Sequence, residues 1–278
     1  MYRAAILAIL VGIAFVFLHV VASHKANAAV YWSDTFDRSA DTFADSFFSP
    51  WSWEDIAYRD RLTTDSTYYR DGGHSAKFDV YDSDVYPRTG DSKPRAQLGY
   101  RTKHLCEGEE NWLGWSVLFP TDFPRDIPSG GWMMIAEHGF GPPYGQPPST
   151  WTVRDGTDTQ LVFSDEQDDA NKSLWAAPIT YGRWMDIVMH VHWSKSSSKG
   201  WVELWLNGER QTFENGARRQ YMNTLRRDAT GCGEIMLQNY REPGMFDRLT
   251  IWQDEMKLGE SYESVASRGR SYSRGQVP

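Results

Sequence analysis

The 278-residue sequence predicts an all-β fold, a sandwich of two packed antiparallel sheets. Three observations predict it: period-two alternation of apolar residues, a hairpin dipeptide, and many short apolar runs separated by turn residues, with few helical patterns. In RWMDIVMHVHWS (183–194), Met185, Ile187, Met189, Val191 and Trp193 fall on one face, and Trp184, Asp186, His190 and His192 on the other. That alternation is a strand with one side on a core. After the SKSSSKG turn, Val202, Leu204 and Leu206 alternate with Trp201, Glu203 and Trp205 in WVELWLNGERQTF. The Asn207-Gly208 pair supplies the two positive-φ residues of a type I′ turn, so this strand folds back as a hairpin. Further strands are predicted at SAKFDVY (75–81), RAQLGYR (95–101), NWLGWSVLFP (111–120), GWMMIAEHG (131–139), TQLVFS (159–164), EIMLQNY (234–240) and RLTIWQDEMKLG (248–259). Short helices are expected at DTFADSFF and ARRQYMNTLRR, and the polar tail after Leu258 is expected to run along the surface.

Residues 1–28 read as a secretory signal peptide. MYR is a basic n-region, a long apolar run follows, and KANAA offers small residues for cleavage. A retained N-terminal anchor is the alternative, since the run is about as long as a membrane span. Residues 29–278 then form one β domain, secreted or periplasmic, and expected to be monomeric. Removing residues 1–28 takes away Arg3 and Lys25 and no acid, moving the net charge from −8 to −10. An acidic surface argues against nucleic acid or an anionic membrane as partner. Cys106 and Cys232 form one long-range disulfide or remain two thiols; spacing does not decide.

The residues that could carry chemistry sit on predicted strands. Arg95, Gln97 and Arg101 share one strand face, Ala136 and His138 another, Gln238 and Tyr240 a third, and His190 and His192 lie on the polar side of 183–194. The loop GFGPPYGQPPS presents Tyr144, and Arg218, Arg219, Arg226 and Arg227 either rim a cleft or form a solvated helix face. Arginine and glutamine can neutralise a carboxylate, whereas histidine and tyrosine can move protons. Together these are the requirements for β-elimination in a uronic-acid polymer: a base takes the C5 proton, donors hold the adjacent carboxylate, and an acid protonates the departing O4. Taken alone, His138 reads equally as an ordinary structural histidine.

RAQLGYR, the histidine of IAEHG, GRWMDIVMHVHWSKSSSKGWVELWLNGE and IMLQNYR resemble the β-jelly-roll polysaccharide lyases, in particular the heparin lyase I-like and glucuronan lyase-like group related to alginate lyases. The resemblance spans roughly residues 30–260. It implies a concanavalin-like β-jelly roll and a lyase acting on an anionic polysaccharide, with no cofactor required for catalysis. It places Arg95 and Gln97 on the substrate carboxylate, His138 as base or neutraliser, and Tyr240 as acid or acid/base. Arg101, Tyr144, His190, His192 and Gln238 are the expected substrate-binding residues. The Gln-x-His pattern of alginate lyases would put glutamine where this chain has Ala136, and Glu137 is expected to point away from the cleft, because its charge would repel the substrate. Resemblance further implies a structural calcium at Asp34, Gly73 and Asp254, oxygen donors that suit this ion; plain surface acids are the alternative. Two other functions fit the fold: a non-catalytic carbohydrate-binding protein, and a glucan hydrolase, which would need two carboxylates flanking the bond.

Overall fold

The computed structural model describes residues 28–38, 50–84, 93–154, 159–167 and 172–267. The leader up to residue 27 and the helix expected at DTFADSFF lie outside them. The first strands are β1 (Val30–Asp34), β2 (Trp53–Ile56), β3 (Leu62–Asp65), β4 (Ser75–Tyr81), β5 (Arg95–Arg101), β6 (Glu110–Leu118), β7 (Trp132–Phe140) and β8 (Ser149–Arg154). There follow β9 (Gln160–Asp165), β10 (Lys172–Pro178), β11 (Trp184–His192), β12 (Trp201–Leu206), β13 (Glu209–Arg210), β14 (Gln220–Tyr221), β15 (Glu234–Arg241) and β16 (Arg248–Gly259), then one helical turn, α1 (Tyr262–Val265).

These strands form the two antiparallel sheets of a jelly-roll sandwich. One runs β13-β12-β11-β6-β16-β4-β3, with β1 added on β16 and β14 on β12; the other runs β10-β9-β8-β7-β15-β5-β2. The alternation in β11 places Met185, Ile187, Met189 and Val191 in the core, opposite Ala96, Leu98, Ile135, Trp151, Ile235 and Leu237 from the second sheet. Burying such side chains contributes roughly 1.5–3 kcal/mol each, and that core fixes which faces point outward. The hairpin forms as read: Asn207 and Gly208 have φ of 51° and 85°, and Leu206 pairs with Glu209.

Two local expectations are corrected. ARRQYMNTLRR holds the two-residue strand β14 and turns rather than a helix. Its arginines anchor to neighbours: Arg219 Nε donates to Glu203 Oε1 (2.8 Å) over the Trp201 ring, and Arg226 Nη1 donates to the Gln146 carbonyl (2.8 Å). The chain after Leu258 is not all surface tail, because Gly259 still pairs in β16 and Val265 of α1 is buried. Cys106 and Cys232 are joined in a disulfide spanning 126 residues, which ties the turn after β5 to the start of β15. Among the described residues, no helix is long and apolar enough to cross a membrane.

Candidate active site

The outer face of the seven-stranded sheet carries a cleft of about 750 Å³. Its floor comes from outward-facing residues of four adjacent strands: Arg95 and Gln97 of β5, Met236 and Tyr240 of β15, Met134 and Glu137 of β7, and Thr152 and Arg154 of β8. Trp53 and Asp55 of β2 form one wall, and Tyr144 to Pro147 of the proline-rich loop form another. Gly99 makes the first wall possible, since a Cβ there would lie 2.0 Å from the Trp53 ring. Trp53 Nε1 is thus free to reach Glu234 Oε2 at 2.7 Å. The second wall is held by Arg226 on the Gln146 carbonyl and by Tyr144, whose hydroxyl donates to Glu234 Oε1 (3.2 Å) and accepts from Arg101 Nη2 (2.9 Å).

Three amides and acids form a chain across the floor. Gln97 Nε2 donates to Gln238 Oε1, and Gln238 Nε2 donates to Glu137 Oε1 at 2.7 Å. The Arg95 guanidinium lies 4.3 Å from the centroid of the Tyr240 ring, with Asp55 at 3.8 Å from its Nη1, and Trp132 packs edge-on against the same tyrosine. Arg154 Nη2 and Thr150 Oγ1 both donate to Glu166 Oε1, each at 2.9 Å. Burial pushes the Glu137 carboxyl up to about 7, with the nearby Glu166 charge adding to the rise and Gln238 and Arg95 opposing it. Burial also raises Glu54. Near neutral pH Glu137 is therefore divided between its neutral and ionised forms.

Arg95, Gln97 and Tyr240 line the cleft, with Arg101 and Tyr144 at one end, whereas Gln238, expected to bind substrate, is fully buried and holds Gln97 and Glu137 from beneath. His138 does not line the cleft. It is fully buried, and its ring lies 5.1 Å from that of Trp115 in the core. Neither of its nitrogens has a hydrogen-bond partner among the described residues, and burial lowers its pKa to about 3. The cause is an irregularity in β7. Trp132 and Met134 face the cleft, but Ile135 and Ala136 are both buried in the core and the register with β8 shifts between Met134 and Ala136. The side-chain period is two, so one extra residue sends every later side chain to the opposite face. Glu137 enters the cleft and His138 leaves it, the reverse of the expected arrangement. Gln253 of β16 secures the shift from across the sandwich, donating from Nε2 to the carbonyls of Ile135 and Gln238, both at 3.0 Å.

His190 and His192 also lie elsewhere, on the outer face of the nine-stranded sheet. His190 stacks on Trp112 at 3.9 Å and bonds Glu110 Oε1 through Nε2 at 2.9 Å; His192 Nδ1 lies 3.1 Å from the Lys199 carbonyl. Their polar face is real, but it belongs to the wrong sheet for this cleft. The residues expected to donate to calcium have protein partners of their own. Asp34 accepts from Phe36 N, Trp51 Nε1 and Arg38. Asp254 accepts from Arg70 N and Glu255 N, both at 2.7 Å, and burial raises it to about 8, which favours the neutral acid. Gly73 faces Asp37, to which its N–H donates at 2.6 Å. Among the described residues, no group of three or more His, Cys, Asp or Glu side chains could hold a metal ion.

Several cleft residues lie outside the strands predicted from the sequence. Thr150, Thr152 and Arg154 alternate with Trp151 and Val153 in STWTVR, a period-two pattern that could have revealed β8 and its cleft face. Lys93, Asp55 and Glu166 lie at strand ends or on a short edge strand, where alternation is too brief to read.

A jelly-roll sandwich with an open, charged and aromatic cleft on one sheet can serve enzymes and binding proteins alike. The family model described as polysaccharide lyase matches residues 43–245, and the chain belongs to this family; it is a polysaccharide lyase. A search of curated protein sequences finds no match. Among solved structures, the endo-β-1,4-glucuronan lyase of the fungus Trichoderma reesei is similar at 14% identity and a TM-score of 0.57, covering 79% of this chain and 100% of that one. The glycoside hydrolase family 131 catalytic domain from Coprinopsis cinerea is similar at 12% identity and a TM-score of 0.60, over 88% and 100% of the two chains. A GH131 β-glucanase catalytic domain from Podospora anserina gives 10%, 0.61, 87% and 100%. Identities this low speak to fold alone.

Proposed function

We propose that the cleft cleaves a uronic-acid-containing polysaccharide by β-elimination. The observation that carries this reading is the gathering of Lys93, Arg95, Arg101 and Arg154 beside Gln97 and Tyr240 in one cleft of an acidic chain. These cations and donors can hold and orient the carboxylates of a polyanion, in a cleft that Glu54, Asp55, Glu137 and Glu166 also line. Arg95 and Gln97 hold the carboxylate at C5, where charge builds as the C5 proton departs. Tyr240 acts as both base and acid: the phenolate takes the C5 proton, C4=C5 forms, the C4–O4 bond breaks, and the same proton passes to the leaving O4. The Arg95 cation against the Tyr240 ring supports negative charge on that oxygen. The name of the glucuronan lyase among the structural neighbours makes glucuronan the first polymer to try. The apolar leader and the disulfide support export to an oxidising compartment, with the mature chain working as a monomer.

The test is ultraviolet absorbance during incubation with glucuronan, alginate, heparin-type glycans and pectate. A chromophore from the new C4=C5 bond on one of them supports the reading; silence on all of them overturns it. One observation favours a second reading, glucan hydrolysis: Glu137 and Glu166 are neighbouring cleft carboxylates, and Glu137 is raised into the range of a general acid. Hydrolysis would release reducing ends from a neutral glucan without any absorbing product.

A further inference from the structure

We propose that Glu137 recognises the substrate's uronate carboxylate as the neutral carboxylic acid, donating a hydrogen bond to it beside Gln97. This rests on the β-elimination reading and adds a residue to it.

The geometry carries the argument. Glu137 is almost entirely buried, yet it lies on the cleft floor because of the β7 irregularity. Gln238 Nε2 donates to its Oε1, so that oxygen is engaged as an acceptor. Gln238 is itself oriented by Gln97 Nε2, which leaves the amide little freedom to turn and offer an acceptor instead. The remaining oxygen, Oε2, is therefore the one to carry the proton. Two carboxylates brought into contact in a desolvated cleft repel strongly unless they share a proton, so a uronate can dock on this floor only against a protonated Glu137. The facing groups pull in opposite directions, with the Gln238 hydrogen bond favouring the ionised form. Glu166 of the β9 end, held by Thr150 and Arg154 of β8, disfavours the ionised form; Arg95 of β5, shared with Asp55 of β2 and the Tyr240 ring, opposes it. Gln97 and Gln238 are uncharged. Burial tips the balance and raises the group to about 7. The expectation that a carboxylate at residue 137 must avoid an anionic substrate holds only for its ionised form.

The consequence is uptake of a proton on binding at a pH where the free cleft has lost it. The experiment is calorimetric binding of a short glucuronan or alginate oligosaccharide to the Tyr240→Phe protein at pH 6 and pH 8.5, in buffers of different ionisation enthalpy. The expected result is net proton uptake at pH 8.5 and almost none at pH 6, with affinity about ten-fold or more weaker at the higher pH. Glu137→Gln, whose amide still donates, is expected to lose the proton uptake and to flatten the affinity profile between the two pH values. In the Tyr240-intact enzyme, the same change should bind less well at pH 6 and yet exceed the wild type in kcat/KM at pH 8.5. Binding without proton uptake, or a folded Glu137→Gln protein that binds normally but has lost all turnover at both pH values, would overturn the proposal, the latter by making Glu137 a proton-transfer group. If the wild type forms no unsaturated product from any polyuronate, the β-elimination reading fails instead, and calorimetry with the oligosaccharide still reports on Glu137 separately.

Discussion

Replacing His138 by leucine should make the protein more stable, and increasingly so in acid, without harming catalysis. The imidazole is wholly enclosed, packs beside Trp115, and has no hydrogen-bond partner for either nitrogen among the described residues. An unpaired buried polar group costs about 1–3 kcal/mol, and leucine of similar size removes that cost. The pH dependence is the sharper signal. Burial lowers the group from 6.5 to about 3. Above pH 6.5 both folded and unfolded chains hold it neutral. Below that, the unfolded chain binds a proton that the folded one refuses, so stability is lost as pH falls from 6.5 towards 3, at about 1.4 kcal/mol per unit. From pH 7.5 to 4.5 this single residue should cost the wild type about 3 kcal/mol relative to His138→Leu. For a domain of this size that corresponds to roughly 5–11 °C in Tm. The assay is thermal unfolding of both proteins at the two pH values, with lyase turnover measured at pH 7.5. Parallel pH profiles for the two proteins would refute the buried, uncharged histidine. A folded but inactive His138→Leu would refute its exclusion from the cleft.

Other changes report on neighbouring parts of the account. Tyr240→Phe removes the hydroxyl that both takes and returns the proton and should take turnover below detection, a fall in kcat of at least about 10², with oligosaccharide affinity in a calorimetric titration nearly unchanged. Gln253→Leu leaves the Ile135 and Gln238 carbonyls without their shared donor; unfolding experiments should show a loss of about 2–4 kcal/mol, and KM should rise as Glu137 loses its placement. Gly99→Ala would force the Trp53 ring away and break its bond to Glu234, raising KM several-fold while kcat changes less. Converting Cys106 and Cys232 to serine opens a loop spanning 126 residues, and chemical denaturation should show a loss of about 4–5 kcal/mol.

The parts of this fold that are legible in the sequence are its long apolar-rich strands and the turn that demands particular residues. β11 and β12 alternate cleanly, the turn between them needs two positive-φ residues and has Asn-Gly, and β16 was read from Arg248 to Gly259 without error. Strands β1, β2, β3 and β10 went unread because they are short or have partly buried residues on both faces. Alternation also says that a face is polar without saying which sheet owns it, so His190 and His192 were grouped with the cleft although they decorate the opposite side. His138 failed for a more specific reason. Strict alternation from Trp132 and Met134 puts residue 138 in the cleft, and only an extra residue at Ile135–Ala136 reverses it. That irregularity is held by Gln253, far along the chain, so nothing within MMIAEHG announces it. Arg95, Gln97, Gln238 and Tyr240 lie on β5 and β15, neighbouring strands whose Gln97–Gln238 pairing is in register, which is why residues read from two separate motifs meet in one place.

The most direct test of the account follows ultraviolet absorbance on glucuronan and the other polyuronates with three proteins side by side: wild type, His138→Leu and Tyr240→Phe. The account predicts an unsaturated product from the wild type and from His138→Leu, and none from Tyr240→Phe. Loss of product in a folded His138→Leu, or its persistence in Tyr240→Phe, would contradict the assignment of chemistry to the cleft face of β5, β7 and β15.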